Sequence, residues 1–335
     1  MQYDVLTFGR SSIDLYSRDI GAPFEEITSF GAFVGGSSLN IAVQTRRLGL
    51  KTALLTALGN DQVGKFIRHF LHKEGIETAF IPTIAQARTS AVLLGIEPPD
   101  RFPLVYYRHN AADIYVNIDH VKATPIQNFR VVVLSGTALS RDPSRTASFY
   151  AAELAQQKQV PAFLDLDFRA DQWEDPRAYG VYVRALLPRL QVVIGTEEEV
   201  LAASLEDSKQ ISIEHQQISA PEIRGNLQRA IERILQAGVQ TLIVKRGAQG
   251  CSIFEQDREE VKVPGYPVEI LNVLGAGDAF GGGFIYGFVQ GWDMYQACRM
   301  GNACGAIVVT RHGCANFMPT YDEVMEFVNQ KGGLS

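Results

Sequence analysis

The chain reads as an α/β protein with a mainly parallel sheet covered by helices on both faces. Three observations predict this. Short apolar runs at 5–8, 52–58, 131–135, 162–166, 191–194 and 241–245 recur along the chain. Between most of them lie longer stretches with the 3.6-residue period of amphipathic helices, and strands alternating with helices fold as a parallel sheet between helical layers. Near the C-terminal end, NVLGAGDAFGGG at 272–283 is a glycine-rich turn running into a small-residue apolar helix.

The elements follow in order. The run at 5–8 is buried-strand-like and ends at Gly9. In 38–49, Leu39, Ala42, Val43 and Leu48 share one helical face. A strand at 52–58 and a helix at 62–73 come next. Further helices are expected at 144–158, 178–187, 196–204, 223–237, 278–290, 293–309 and 321–330, and 251–254 is expected to form a strand. Two stretches break the rhythm. Residues 13–34 and 89–108 alternate apolar and polar side chains, as in Ser90-Ala91-Val92-Leu93-Leu94, which reads as antiparallel strands of a small separate sheet. Strands inserted beside an α/β core commonly serve as a lid or an interface. The polar segment 206–221 reads as an exposed connection, and the whole of 1–335 as a single domain.

The chain has 335 residues, 46% of them hydrophobic, enough for a large core, and a formal net charge of -6. No basic patch stands out, so nucleic acid is not an expected partner. The longest apolar segment, near 279–289, is too short to span a bilayer, so no membrane partner is expected either. Cys251, Cys298, Cys304 and Cys314 lack metal-ligand spacing and read as buried reduced thiols. The opening MQYDVLTFG carries no signal-peptide pattern, and a cytoplasmic location is expected.

Two motifs carry chemistry. At 275–278, Gly275, Ala276 and Gly277 precede Asp278 at the start of a helix. Free N–H groups and the positive end of the helix dipole make such a turn an anion site, and glycine lets the backbone approach the anion closely. An acid there has two readings. Asp278 is either a base that takes a proton from a hydroxyl attacking a phosphorus, or the N-cap of the helix. The second motif, GGSSLNIAVQTRRLG at 35–49, opens a helix with a Gly-Gly pair and places Asn40 on its first turn. Asn40 offers both a donor and an acceptor, which suits a polyol, although a capped helix after a tight turn reads the same. A dinucleotide fold does not fit, because no G-x-G-x-x-G follows the first strand.

Together the two motifs resemble the paired signatures of the ribokinase-like (PfkB) carbohydrate kinase family. Gly35, Gly36, Asn40, Ala42, Gly49 and Gly59 match the first, with Ser38 at a position usually held by Gly, Ala or Pro. Asn272, Gly275, Ala276, Gly277, Asp278, Gly282 and Gly283 match the second. The resemblance spans essentially the whole chain. It implies a three-layer sandwich with a mostly parallel central sheet and a small β-sheet lid over a sugar. It assigns Asp278 as base, with Gly275, Ala276 and Gly277 donating to the transferring phosphoryl group. It also assigns Asp14, Gly36 and Asn40 to sugar hydroxyls, and it puts the KRGAQG turn, with Lys245, Gly247 and Gly250, near ATP. Asn302, among the small residues of the helix at 293–309, is a further nucleotide candidate, unless those residues serve helix packing.

Arg108 in YYR and Arg169 in DLDFR resemble positions that pair with a carboxylate in acid-sugar kinases of the family, with Asp167 beside a hydroxyl. The stretches SGTALSRDPSR, VIGTEEE and FIYGFVQG resemble the branch of the family that acts on 5-dehydro-2-deoxygluconate in myo-inositol catabolism. Transfer of the ATP γ-phosphoryl to the terminal hydroxyl of that keto acid is therefore the implied activity. Alternatives are 2-keto-3-deoxygluconate or a neutral sugar as acceptor, or a non-catalytic sugar sensor. GTEEE at 195–199 stands where the family has Asn-x-x-Glu, with Gly195 replacing Asn and Glu198 keeping the Glu that organises Mg2+ through water. A monovalent cation such as K+ is implied beside the anion turn, with carbonyls from 308–313. A homodimer through the lid is expected, as is common among relatives with such lids.

Overall fold

The structure is a computed structural model and describes residues 2–97, 101–212, 221–312 and 314–334. The chain enters along β1 (Val5–Phe8) and leaves the main sheet through a hairpin, β2 (Ser12–Ser17) and β3 (Phe30–Gly35). It returns through α1 (Ser37–Arg47) and β4 (Thr52–Leu55). The short β5 (Leu58–Gly59), α2 (Gln62–Glu74) and β6 (Thr83–Ile84) precede a second excursion, β7 (Ser90–Leu94) and β8 (Leu104–Tyr107). Then α3 (Ile118–Lys122) leads to the regular alternation of β9 (Val131–Ser135), α4 (Ser144–Gln157), β10 (Ala162–Asp165), α5 (Pro176–Leu186), β11 (Val192–Thr196) and α6 (Glu197–Ala202). A small ribbon, β12 (Ile211–Ser212) with β13 (Glu222–Ile223), precedes α7 (Leu227–Gln236) and the last strands, β14 (Thr241–Lys245), β15 (Cys251–Glu255) and β16 (Val261–Val263). Three helices close the described fold: α8 (Ala276–Val289), α9 (Met294–Val309) and α10 (Tyr321–Gln330).

The main sheet has eight strands in the order β16-β15-β14-β11-β10-β9-β1-β4. From β4 to β14 the pairing is parallel, and β15 and β16 join antiparallel at one edge. The two-residue period of a strand sorts the apolar runs onto two faces. Leu6, Phe8, Val132, Leu134, Leu164 and Val193 point to a core shared with α4, α5 and α7. Val5, Val131, Val133, Phe163, Val192 and Ile243 point the other way, onto Phe280, Phe284 and Ile285 of α8 and Ile41 of α1. Apolar runs buried on both sides are what a covered parallel sheet requires, which is why the runs carry no polar alternation.

The expected strand at 52–58 is two pieces, because the chain breaks at Thr56-Ala57 and β5 pairs with β6 instead of β1. The helix expected from 223 starts at Leu227, since Asn226 caps it and Glu222–Ile223 pairs with Ile211–Ser212. Half of the expected polar connection at 206–221, residues 213–220, lies outside the described residues, and its described part includes the strand Ile211–Ser212.

The small sheet has the order β3-β2-β7-β8. Its two hairpins are antiparallel, but β2 and β7 run parallel, so the sheet is mixed, not antiparallel throughout. The parallel junction follows from topology. α1, β4 and α2 intervene between the hairpins, so the second re-enters in the same direction as the first. Asp14, Tyr16, Val92, Leu94, Leu104 and Tyr106 share the inner face. Ile13, Leu15, Ala91, Leu93, Val105 and Tyr107 share the outer one, with Ser17 at the end of β2, and Tyr107 is 61% exposed. Among the described residues no helix is long and apolar enough to cross a membrane.

Candidate active site

In an open parallel sheet the crevice lies beyond the carboxyl ends of the strands. Four strand ends bring charge there: Arg10 after β1, Asp165 at the end of β10 with Asp167 and Arg169 beyond it, Glu199 after β11, and Lys245 at the end of β14. The small sheet covers them with Asp14, Tyr16 and Tyr106, and α8 points its N-terminus in from the opposite side. Between them lies a cleft lined in part by Arg10, Asp14, Gly36, Asn40, Tyr106, Arg169, Gly275 and Asp278.

The start of α8 is set by glycine. Gly275 is the N-cap in the left-handed region at φ 78°, with no side-chain cap. A β-carbon there would lie 2.5 Å from the Cys314 amide nitrogen, so only glycine fits. Asp278 is the third residue of the helix and does not cap it, which removes the capping alternative. Its Oδ2 accepts from Asn40 Nδ2 at 2.6 Å, joining the two glycine-rich motifs across the cleft. Gly36 makes that approach possible. It stands at φ 104°, and a β-carbon on it would meet the Arg10 carbonyl at 2.4 Å.

Behind Asp278 lies a buried charge cluster. Lys245 Nζ is 3.5 Å from Asp165 Oδ1 and 3.8 Å from Glu199 Oε2. It also presses on the anion turn, 3.0 Å from where a β-carbon on Gly277 would stand. Ser37 Oγ donates to Asp165 Oδ2 at 2.6 Å. Asp167 accepts from Ser135 at 2.8 Å and from Thr137, and it pairs with Arg169 at 2.9 Å. Burial pushes the Asp165 carboxyl up to about 7; Lys245 opposes this, while Asp167, Glu199 and Asp278 add to it. Burial and then repulsion from Asp167 raise Asp278, against the Asn40 hydrogen bond, Arg169 and Lys245. Burial works the same way on Asp167, but Arg169, Arg10 and the two hydroxyls outweigh it and hold that carboxyl below its ordinary value. The cluster is thus an acid-rich pocket short of positive charge, with a lysine poised at a helix N-terminus.

Several expected site residues are brought together here: Asp14, Gly36, Asn40, Asp167, Arg169, Lys245, and the run from Gly275 to Asp278. Asp14 lies in the cleft, accepting from Ser12 at 2.6 Å and Tyr16 at 3.3 Å. Others stand elsewhere. Arg108, expected to meet a carboxylate, is buried with its own acid. Its Nε and Nη2 lie 2.8 Å from Asp113, and its Nη1 donates to Ser140 Oγ at 2.9 Å and Gln172 Oε1 at 3.2 Å. Glu198 is exposed on α6, and the acid that faces Lys245 is the next one, Glu199. Helix phase is the reason. Thr196 caps α6 and closes a capping box with Glu199, which turns Glu199 inward and Glu198 out.

Asn302 spends its amide on the carbonyls of Val263 and Pro264, at 3.2 and 3.0 Å. Gly250 packs on the same segment, where a β-carbon would meet Val263 O at 2.2 Å, and Gly247 opens the turn that precedes it. The small residues of α9 serve helix packing. A β-carbon on Gly301 would meet Phe280 O at 2.8 Å, and one on Gly283 would meet Met300 O at 2.8 Å. Of the carbonyls expected to hold a monovalent cation, Val309 O accepts from the amides of Leu271 and Asn272, and His312 O from Asn272 Nδ2 at 2.7 Å; residue 313 lies outside the described residues.

Sequence reading missed Arg10, Ser37, Asp165 and Glu199. Two left a signal. Asp165 is a lone charge inside the apolar run AFLDL, and T-x-x-E at 196–199 is itself a capping-box pattern. Arg10 and Ser37 left none.

Comparison with known proteins gives the family of the chain. A family signature described as pfkB family carbohydrate kinase matches residues 2–321. The chain is 30% identical over 331 residues to 5-dehydro-2-deoxygluconokinase of Clostridium botulinum (strain Eklund 17B / Type B), covering 98% of this chain and 94% of the relative. It is 32% identical over 327 residues to the 5-dehydro-2-deoxygluconokinase of Bacillus anthracis (strain A0248), covering 97% and 95%. Among solved structures, a Fructokinase with bound ATP from Xylella fastidiosa superposes with a TM-score of 0.84 at 23% identity, covering 98% of this chain and 99% of that one.

Proposed function

Since the chain belongs to the pfkB family of carbohydrate kinases, we propose that this ATP-dependent sugar kinase phosphorylates the terminal hydroxyl of 5-dehydro-2-deoxygluconate. The observation that carries the reading is Asp278 on the first turn of α8, hydrogen-bonded to Asn40 in a cleft that also holds two arginines. A base, a backbone anion hole and a pair of cations in one cleft match a substrate with an alcohol at one end and a carboxylate at the other.

Asp14 and Asn40 hold sugar hydroxyls, and Asn40 fixes the Asp278 carboxylate toward the acceptor. The amides of Gly275 and Gly277 receive the transferring phosphoryl oxygens, because N–H groups at a helix start have no intrahelical partner, whereas the Ala276 N–H donates to the Val273 carbonyl at 3.4 Å. Lys245 adds charge at the same turn and is held ready by Asp165 and Glu199. Phosphoryl transfer has a loose transition state, so the hydroxyl loses its proton late and a weak carboxylate base suffices. Most of the rate comes from positioning and charge neutralisation.

Among the described residues no group of three or more His, Cys, Asp or Glu side chains forms a metal cage. Mg2+ needs no such cage, since it keeps waters, bridges phosphates and takes one or two carboxylates. Asp165 and Glu199, already beside Lys245, fit that role through water, and Mg2+ would neutralise phosphate charge there. The apolar outer face of the small sheet supports a homodimer formed through it.

The test is an ADP-release assay on purified protein with 5-dehydro-2-deoxygluconate, 2-keto-3-deoxygluconate, fructose and ribose. The first acid is expected to give the highest kcat/KM. A preference for either neutral sugar would overturn the substrate assignment.

A further inference from the structure

We infer that Arg10, acting with Arg169, grips the substrate carboxylate and sets the preference for an acid over a neutral sugar. This rests on the kinase reading above and names the residue that makes its substrate choice.

Arg10 is only 6% exposed, yet its Nε finds no acceptor among the described residues. The Nε of Arg169 finds none either. Both residues line the same cleft, one from the end of β1 and one from beyond β10. A buried guanidinium N–H without an acceptor is costly, and two on one cleft mark where an anion supplies what the protein withholds.

The rest of each side chain is anchored, so the free edge is fixed in direction. Arg10 Nη1 donates to Ser12 Oγ at 2.9 Å, and its guanidinium lies over the Tyr106 ring, 5.1 Å from the centroid. Its carbonyl is pressed against the Gly36 turn. Arg169 is braced by Asp167 at 2.9 Å and donates from Nη1 to the Phe168 carbonyl at 2.8 Å. Burial raises the Tyr106 hydroxyl above its ordinary value, and Arg169 and Arg10 both oppose that rise. Arg10 stays charged: burial works against the cation, but Tyr106, Asp14, Asp167 and Asp113 outweigh it.

Arg108 differs in the respect that matters. Its charge is cancelled by Asp113, and Nε, Nη1 and Nη2 all have acceptors. It ties the end of the small sheet to the core and has nothing left to offer an anion.

The experiment compares kcat/KM for 5-dehydro-2-deoxygluconate and for fructose in wild type, Arg10→Met, Arg10→Lys and Arg108→Met, with KM for ATP and thermal unfolding measured in each. Arg10→Met is expected to lower the acid-to-fructose ratio by about 10- to 100-fold, the size of a hydrogen bond to a charged group. The loss should appear chiefly as a higher KM for the acid, with KM for ATP unmoved. Arg10→Lys keeps a charge but loses the fork, and is expected to lower the ratio by a smaller factor; it carries the test if the methionine variant does not fold. Arg108→Met is expected to lower Tm and leave the ratio in place. An acid-preferring wild type whose ratio survives in both Arg10 variants, or collapses only in Arg108→Met, overturns the role of Arg10 alone. A wild type that prefers fructose overturns both that role and the substrate assignment.

Discussion

Replacing Asp278 with asparagine separates chemistry from architecture. The change removes one charge and no volume. Asparagine can turn its Oδ1 toward Asn40 Nδ2, so the 2.6 Å bond that joins α1 to α8 has a replacement acceptor. The side chain is not the helix cap, so no cap is lost. The lost interaction of the carboxylate with the helix dipole is worth about 0.3–1 kcal/mol. Removing a buried acid that Asp167 repels acts in the opposite direction. The net stability change is therefore expected within about 1 kcal/mol. Turnover is a different matter. A positioned general base contributes about 10²–10⁴-fold, or roughly 3–5 kcal/mol of barrier at 1.36 kcal/mol per decade. Steady-state ADP release gives kcat, calorimetric titration of the sugar gives its Kd, and a thermal melt gives Tm. The expected pattern is a kcat lower by at least a hundredfold, with Kd and Tm nearly unmoved. A kcat within tenfold of wild type would refute the assignment of the base.

Further outcomes follow from the same geometry. Asp165 binds its proton more tightly folded than unfolded, since its carboxyl is raised from 3.8 to about 7. Its contribution therefore falls as pH rises from about 4 through about 7, and melts across that range should show a shallower decline in Asp165→Asn than in wild type. An unchanged slope would show that the carboxyl does not titrate there. Asp278 is raised as well and must be ionised to accept a proton, so kcat should fall on acidification at a pH above the ordinary carboxylate range. Gly36→Ala forces a β-carbon to 2.4 Å from the Arg10 carbonyl at φ 104°, and urea titration is expected to show a loss of about 1–3 kcal/mol. Leu93→Asp on the outer face of the small sheet should shift sedimentation from dimer to monomer, and an unshifted profile would remove that face as the interface.

How much of this was legible in the sequence depended on range. The runs at 131–135 and 241–245 became strands as read, because a strand buried on both faces needs nothing beyond its own side chains to be recognised. The glycine-rich turn at 275–277 was equally plain, since the left-handed backbone at Gly275 excludes other residues there. Arg108 was misplaced because its fate is decided by Asp113, a partner only five residues away but reached through a turn that carries no periodic signal. Glu198 was misplaced by one position in a helix that starts at its cap, and one position is a rotation of about 100°. β16 and the two-residue strands exist only through their neighbours, so no local pattern announced them.

The parallel contact between β2 and β7 joins Ser12 to Ser90, and the stretch from α1 to β6 that separates the two hairpins lies outside the small sheet. The first hairpin is therefore synthesised long before the second can reach it. During that interval β2 offers an unpaired edge, and its two faces lack their later covering, a state that invites pairing with other chains. Loop closure over so many positions also makes this a late event in folding, after the first strands and helices of the core have docked. A fragment ending before residue 89 should accordingly be cut readily by protease within 12–35, whereas the same bonds in the full-length chain should resist.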